Sequence, residues 1–225
     1  MNTVEHAKKA AGQKATELIK DGMVIGLGTG TTAYWFIESL IPLCKKKLKI
    51  HAVATSSASL EQARQGGIPI VDIDTITTID LTVDGADEID PQKRMIKGGG
   101  GALLREKIIA SMSKEMIVIV DETKLVPKLG KCKLPVEITP FGHPSTIHRL
   151  KNLGFSGKIR EKEGTLYMTE NGNYIYDIYL NPEKTHPSED HQRIIQVPGV
   201  VETGFFLNLA GRVIVGFLDG HTRMI

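Results

Sequence analysis

Between residues 83 and 107 the sequence reads V-D-G-A-D-E-I-D, then P-Q-K-R-M-I, then K-G-G-G-G-A-L-L-R-E-K. Carboxylates, a lysine and bare glycine backbone are groups that move protons and hold developing negative charge. The alternating run over residues 79–83 predicts a strand ending at Asp84. Asp84 and Asp87 then sit at the carboxyl end of a strand, where α/β folds bind their ligands. Gly98, Gly99, Gly100 and Gly101 precede a helical pattern that begins near Ala102. Their N–H groups are free of side-chain obstruction and can wrap an anion or an oxyanion at a helix N-terminus.

Stepping 100° per residue along that helix sets Glu106 on the side of Ala102, Ile109 and Ala110, with Lys107 and Ser111 on a separate polar strip. A carboxylate among small apolar neighbours loses solvation, which raises its pKa toward the range of a general base. The plainer reading of the same residue is an exposed glutamate paired with a nearby lysine. The two aspartates, the lysine and the four glycines in the same stretch favour the base.

A second glycine turn, G-T-G-T-T-A from Gly28, satisfies the relaxed dinucleotide fingerprint and brings an NAD-dependent dehydrogenase into consideration. The ribose-binding acid of such folds is expected about 20 residues further on, at the end of the second strand. Thr55, Ser56 and Ser57 stand there instead, which counts against NAD. Thr29, Thr31 and Thr32 place hydroxyls beside the backbone donors of a helix start, with Gly30 among them, a set that suits a single phosphate group. A plain helix cap by Thr31 or Thr32 is the structural alternative, and one loop can serve both purposes. Neither G-x-x-x-x-G-K-[ST] nor G-x-S-x-G occurs, which argues against a P-loop hydrolase and a serine acyl-transfer enzyme. Carboxylates, lysines and glycines suit proton abstraction next to a carbonyl, with a Glu base and with lysine and amides holding an enediolate oxygen. No cofactor is required for that chemistry.

The elements that would position these groups follow from periodicity. A helix is expected over residues 3–20, ended by Asp21-Gly22, then a strand over 23–27, the glycine turn and a helix over 33–43. A second strand spans 50–54, a polar turn 55–59, a helix 60–65 closed by Gly66-Gly67, and a further edge begins at 68–70. Residues 116–120 form a continuous apolar strand with D-E-T-K from Asp121 at its end. Strands alternating with helices predict an α/β fold with a doubly wound, mostly parallel sheet. Near Gly130 the stretch K-C-K-L-P-V-E-I-T-P-F-G-H-P gathers turn signals, and a second module begins there. It reads as a helix over 145–153, a strand over 158–160, a hairpin of 166–169 with 174–180 about Asn171-Gly172, a helix over 188–195 and a strand over 200–202. That order predicts a smaller antiparallel α+β domain over residues 130–204. Residues 1–129 and 205–225 make the larger domain, with the apolar run 213–217 returning to its sheet.

With 225 residues, 41% of them hydrophobic and 24% charged, the chain buries a full core. A net charge of +2 and 5% aromatic content exclude a strong electrostatic or stacking surface for nucleic acid. The cluster Lys45, Lys46, Lys47 reads as a solvated helix end. Two cysteines far apart, Cys44 and Cys132, suggest neither a disulfide framework nor a zinc site and fit a reducing cytoplasm. The seven histidines form no metal-binding set, and His143, His148 and His191 take surface roles by default. The first residues are polar and unlike a signal peptide, and no apolar run reaches the length of a membrane span.

At D-G-A-D-E from Asp84, K-G-G-G-G-A-L-L-R-E-K from Lys97 and G-T-G-T-T from Gly28, the chain closely resembles the ribose-5-phosphate isomerase A family. The resemblance continues through D-E-T-K at Asp121, L-P-V-E at Leu134, N-Y-I-Y-D at Asn173 and P-G-V-V-E-T-G-F-F at Pro198, nearly the whole length. It implies a Rossmann-like sheet with a smaller α+β domain, homodimers or tetramers, and interconversion of ribose 5-phosphate and ribulose 5-phosphate. Carried over residue by residue, it makes Glu106 the proton acceptor and sets Lys97 with the amides of Gly98, Gly99 and Gly100 at the reacting oxygens. Asp84 and Asp87, in the segment with Gly85 and Ala86, would handle sugar hydroxyls and ring opening. Thr29, Gly30, Thr31 and Thr32 resemble the substrate-binding segment, Lys124 a substrate or phosphate contact, and Ser56 a weaker one. One departure is Thr203, before Gly204, where a His is frequent in the family. Sugar-phosphate-sensing domains of bacterial repressors resemble the same fold, but the chain shows no helix-turn-helix or basic recognition helix for DNA.

Overall fold

Four apolar runs read from the sequence become neighbouring parallel strands, and a fifth joins them from far along the chain. The computed structural model describes residues 3–225. The chain begins with α1 (Thr3–Ala15), β1 (Val24–Leu27), α2 (Thr31–Lys46), β2 (His51–Ala54), α3 (Ser57–Gly66) and β3 (Leu81–Asp84). It continues with β4 (Glu88–Ile89), β5 (Met95–Ile96), α4 (Leu103–Ser111), β6 (Met116–Asp121), β7 (Leu134–Ile138), α5 (His143–Asn152) and β8 (Gly157–Ile159). Then come β9 (Glu161–Lys162), β10 (Thr165–Leu166), β11 (Tyr174–Ile178), α6 (Pro187–Ile195), β12 (Val200–Thr203), β13 (Phe205–Phe206), β14 (Ala210–Gly216) and β15 (Thr222–Met224). Packing divides these into two units: the described chain up to Ala86 with Arg105–Leu125 and Leu209–Ile225, and Asp87–Leu104 with Val126–Asn208. Residues 87–104, expected in the larger domain, thus pack in the second unit, where β4 and β5 form a three-stranded sheet with β13.

In the first unit the six-stranded sheet has the order β15-β14-β6-β3-β1-β2. Every pairing is parallel except that of the edge strand β15 with β14. Strands β3 and β6 are buried at every position; β6 accordingly reads as an unbroken apolar run up to Asp121, whereas β3 buries Thr82 between Leu81 and Val83. Along β1, Ile25 and Leu27 join the cluster that holds Phe36, Ile37 and Leu40 of α2. Gly26 points the other way, where a Cβ would lie 2.7 Å from Ile109 of α4. The period of two therefore serves helices on both faces, and each fully buried Phe36, Ile37 or Leu40 side chain contributes about 1.5–3 kcal/mol. No helix of the described residues is long and apolar enough to cross a membrane.

In the second unit an antiparallel sheet has the order β12-β7-β11-β8. Leu134, Val136, Ile138, Tyr176 and Ile178 line one face and pack with Leu150 of α5 and Ile194 of α6. The intervening Glu137 and Asp177 belong to the other face, and both are buried. Strand β7 is a correction to the sequence reading, which took Pro135 and its neighbours as turn signals. Proline lacks only the donor, and here its carbonyl still accepts from Gly204. The hairpin is also corrected. The tight ribbon is β9 with β10, closed by Glu163 and Gly164, both at positive φ as a two-residue turn needs. Asn171-Gly172 does turn the chain, but only the Met168–Tyr174 bridge spans it, and β11 pairs with β7 and β8. Helix α3 begins earlier than expected because Ser56 caps it, accepting from the Ser59 amide.

Candidate active site

In the first unit the ends of β1, β2 and β3 assemble the Gly28 turn. Asp84, fully buried at the last position of β3, accepts from the Thr29 amide at 3.1 Å and the Gly85 amide at 2.7 Å through Oδ1. A Cβ at Gly28 would lie 2.1 Å from that same oxygen, so the turn must be glycine for the carboxylate to fit beneath it. The Thr29 hydroxyl lies 2.6 Å from that of Thr55, and the Ser59 hydroxyl donates to the Gly28 carbonyl at 2.6 Å. The polar turn after β2 thus braces the turn after β1. Gly30, at φ 104, is the N-cap of α2 and no side chain caps the helix. Thr31 and Thr32 are the first residues of this 16-residue helix rather than its cap. Thr31 is exposed and Thr32 buried. A cleft of about 700 Å³ beside Thr29, Gly30 and Thr31 is lined by Glu5, Glu38 and Glu61 with no cation. Three carboxylates without a cation disfavour a phosphate inside that cleft.

Glu106 lies in the first turn of α4 with 4% of its surface exposed, on one stripe with buried Leu103 and Ala110. The exposed alternative is excluded, and the expected desolvated setting is present. Lys124 closes a 3₁₀ turn, Glu122–Lys124, directly after β6. Asp121 begins that turn, accepting from the Thr123 amide and hydroxyl through Oδ1. Its Oδ2 is buried without a hydrogen-bond partner.

In the second unit the four glycines turn sharply, with Gly98 at φ 101, Gly101 at φ 87 and the Gly101 amide donating to the Gly98 carbonyl at 2.9 Å. The Gly99 amide donates to Asp87 Oδ2 at 2.8 Å, which brings Asp87 and the loop together. Lys97 is 3% exposed, with its amide on the Gly204 carbonyl and its ammonium 5.4 Å from the Phe206 ring centre. Thr203, at the departure from the family pattern, is fully buried and lies 2.8 Å from His191 Nδ1 through its hydroxyl. His191 is therefore half-buried and engaged rather than a surface residue.

Three residues the sequence reading did not single out hold this loop. Arg160 Nη1 donates to the carbonyls of Gly98 at 3.1 Å and Gly99 at 3.0 Å. The rest of its guanidinium grips Asp177 in a two-pronged pair at 2.9 and 2.5 Å. The Tyr167 hydroxyl donates to the Gly100 carbonyl at 3.3 Å. Arg160, Tyr167 and Asp177 have no spacing relation to the glycines, so only the fold reveals them. Among the described residues no group of three His, Cys, Asp or Glu is placed to hold a metal ion, and Cys44 and Cys132 form no disulfide.

Residues 51–220 match the family described as ribose 5-phosphate isomerase A (phosphoriboisomerase A). The chain is 56% identical over 220 residues to ribose-5-phosphate isomerase A of Protochlamydia amoebophila, covering 97% of this chain and 95% of that one. A solved D-ribose-5-phosphate isomerase in complex with phospho-erythronic acid superposes with a TM-score of 0.94 at 38% identity, over 100% of this chain and 99% of that one. Ribose 5-phosphate isomerase from Plasmodium falciparum gives 0.94 at 37% identity, over 98% of each chain.

Proposed function

The chain belongs to the ribose 5-phosphate isomerase A family and is an isomerase, and from that premise we propose how its residues interconvert D-ribose 5-phosphate and D-ribulose 5-phosphate. Glu106 removes the C2 proton of the open-chain aldehyde, and the electron pair moves toward O1 to give an enediolate. Lys97 and the amides of the glycine loop hold the oxygen charge. The enediolate passes its O2 proton to O1, and Glu106 returns a proton to C1. Asp84 and Asp87 act on the sugar hydroxyls and on ring opening. Thr29, Gly30, Thr31 and Thr32, with Lys124, bind the phosphorylated end, while Gly85 and Ala86 line the sugar beside the aspartates.

The observation that carries this reading is the burial of Glu106 in the first turn of the helix that the four glycines lead into. The test is turnover of ribose 5-phosphate in heavy water with EDTA present. Deuterium is expected in the product at C1, because a carboxylate exchanges its proton with solvent, and the rate is expected to persist because lysine and amides supply the positive charge. Transfer without wash-in, or a rate lost to EDTA and restored by a divalent ion, would overturn the mechanism.

We place the enzyme in the cytoplasm, in the non-oxidative pentose phosphate pathway, as a homo-oligomer. Cys44 and Cys132, which form no disulfide, are at home in a reducing compartment. Phe141, 94% exposed, and Tyr179, 55% exposed, are aromatic chains of the type enriched at interfaces. Sedimentation velocity checks the assembly.

A further inference from the structure

A trans peptide is planar, so its C=O and the next N–H point in opposite directions. In the glycine loop the Gly98 carbonyl is directed at Arg160, and the amide of the same peptide, on Gly99, is directed at Asp87. That peptide is a rigid rod between a guanidinium and a carboxylate. The following peptide has its Gly99 carbonyl on Arg160 at 3.0 Å, which sends the Gly100 amide away from Arg160. Glycines have no side chain to hold these planes, and each is free to rotate unless something outside fixes it. Arg160 can fix both because Asp177, itself buried on the polar face of the antiparallel sheet, holds its guanidinium in one orientation.

We propose that Arg160, oriented by Asp177, is a positioning residue that aims the Gly99 and Gly100 amides of the 98–100 loop and, through Gly99, the carboxylate of Asp87. The proposal rests on the reading that this loop holds the reacting oxygens. A donor fixed in advance toward a developing charge stabilises the transition state more than the ground state, so its misdirection appears in kcat rather than KM.

The test measures kcat and KM for ribose 5-phosphate in two variants. Arg160→Met/Asp177→Asn removes both charges together, so neither is stranded in the sheet. Arg160→Lys keeps a cation that reaches one carbonyl at a time. We expect kcat to fall about 10- to 100-fold in the double variant and about three- to tenfold in Arg160→Lys, with KM moved less than about threefold. In amide spectra Gly99 and Gly100 exchange faster, while Asn171 and Asn173, in a turn pinned by Glu137, keep their rates. An unchanged kcat in the double variant overturns the proposal, as does a raised KM with kcat kept, or faster exchange at both turns. Gly100→Pro, which deletes one amide hydrogen, separates this from the reading beneath it. Normal turnover in Gly100→Pro removes the loop amides from the reaction. Lost turnover there, with kcat kept in the double variant, removes only Arg160.

Discussion

The two glycine turns of this protein are braced with opposite charge. Beneath the Gly28 turn lies a carboxylate, Asp84, which accepts amides of Thr29 and Gly85. Behind the 98–100 loop lies a cation, Arg160, which accepts nothing and draws the carbonyls of Gly98 and Gly99 toward itself. An anionic brace occupies N–H groups, whereas a cationic brace occupies C=O groups and leaves N–H groups facing the other way. The braces also differ in origin. Thr55 and Asp84 reach the first turn from the ends of β2 and β3, which flank β1 in one parallel sheet, and Ser59 reaches it from the first turn of α3. Arg160 and Tyr167 reach the second from 61 to 67 residues further along the chain. The lesson is that a glycine run becomes a donor array only through whatever holds its carbonyls.

The largest expected effect separates what the turns bind from what reacts. Glu106→Gln keeps size and hydrogen bonding, so both turns should still take substrate, while kcat falls by roughly 10² to 10⁴ or more and deuterium wash-in disappears with it. Stopped-flow turnover and product mass spectra decide; near-normal turnover would shift the base to Asp84 or Asp87. A smaller effect isolates the first turn's side of the reaction. Lys124→Ala is expected to raise KM about tenfold with kcat within a factor of three, as for a phosphate contact present equally in ground and transition states. Steady-state kinetics with ribose beside its phosphate checks this, since ribose reacting equally well would refute the phosphate assignment.

The smallest effect lies outside both turns and serves as their control. Lys114 bonds to Asp80 Oδ1 at 2.7 Å and the Val24 amide to Oδ2 at 2.9 Å, and together they hold this carboxyl below the usual aspartate range. A lowered folded pKa means the stabilisation is present above the unfolded value, near 3.9, and is lost as pH falls through the folded value. Asp80→Asn should therefore lower the melting temperature by about 2 °C at pH 7 and by less near pH 3, with kcat unaltered. Equal loss at both pH values in calorimetry would show that packing, not the charge, is at stake.

The first turn was legible because its parts obey local rules. Apolar runs stopped by Gly28, Thr55 and Asp121 gave β1, β2 and β6, an alternating run ending at Asp84 gave β3, and helical stepping placed Glu106 on the buried side of α4. Strand β7 was hidden by Pro135, whose local preference is overruled once β11 and β12 flank it. The two-residue strands β4, β5 and β13 carry too few positions to show any period. Glu163-Gly164 was a readable turn, but Asn171-Gly172 offered a stronger signal nearby and drew the hairpin to itself. Arg160 and Asp177 look like ordinary surface charges in a strand-rich stretch, and nothing nearer than the tertiary fold links them to glycines 61 and 62 positions before Arg160.

Strand β14 pairs in parallel with β6, yet the residues between them include nearly all of the second unit. During synthesis β6 emerges long before its partner and waits as an open edge with an entirely apolar run, Met116 to Val120. The second unit has its whole chain available once Asn208 has emerged, whereas the first cannot close its sheet until Ala210–Gly216 follows. Closure of the first unit's sheet therefore waits for β14, and the interval before it emerges is when β6 is most prone to pair with another copy of the chain.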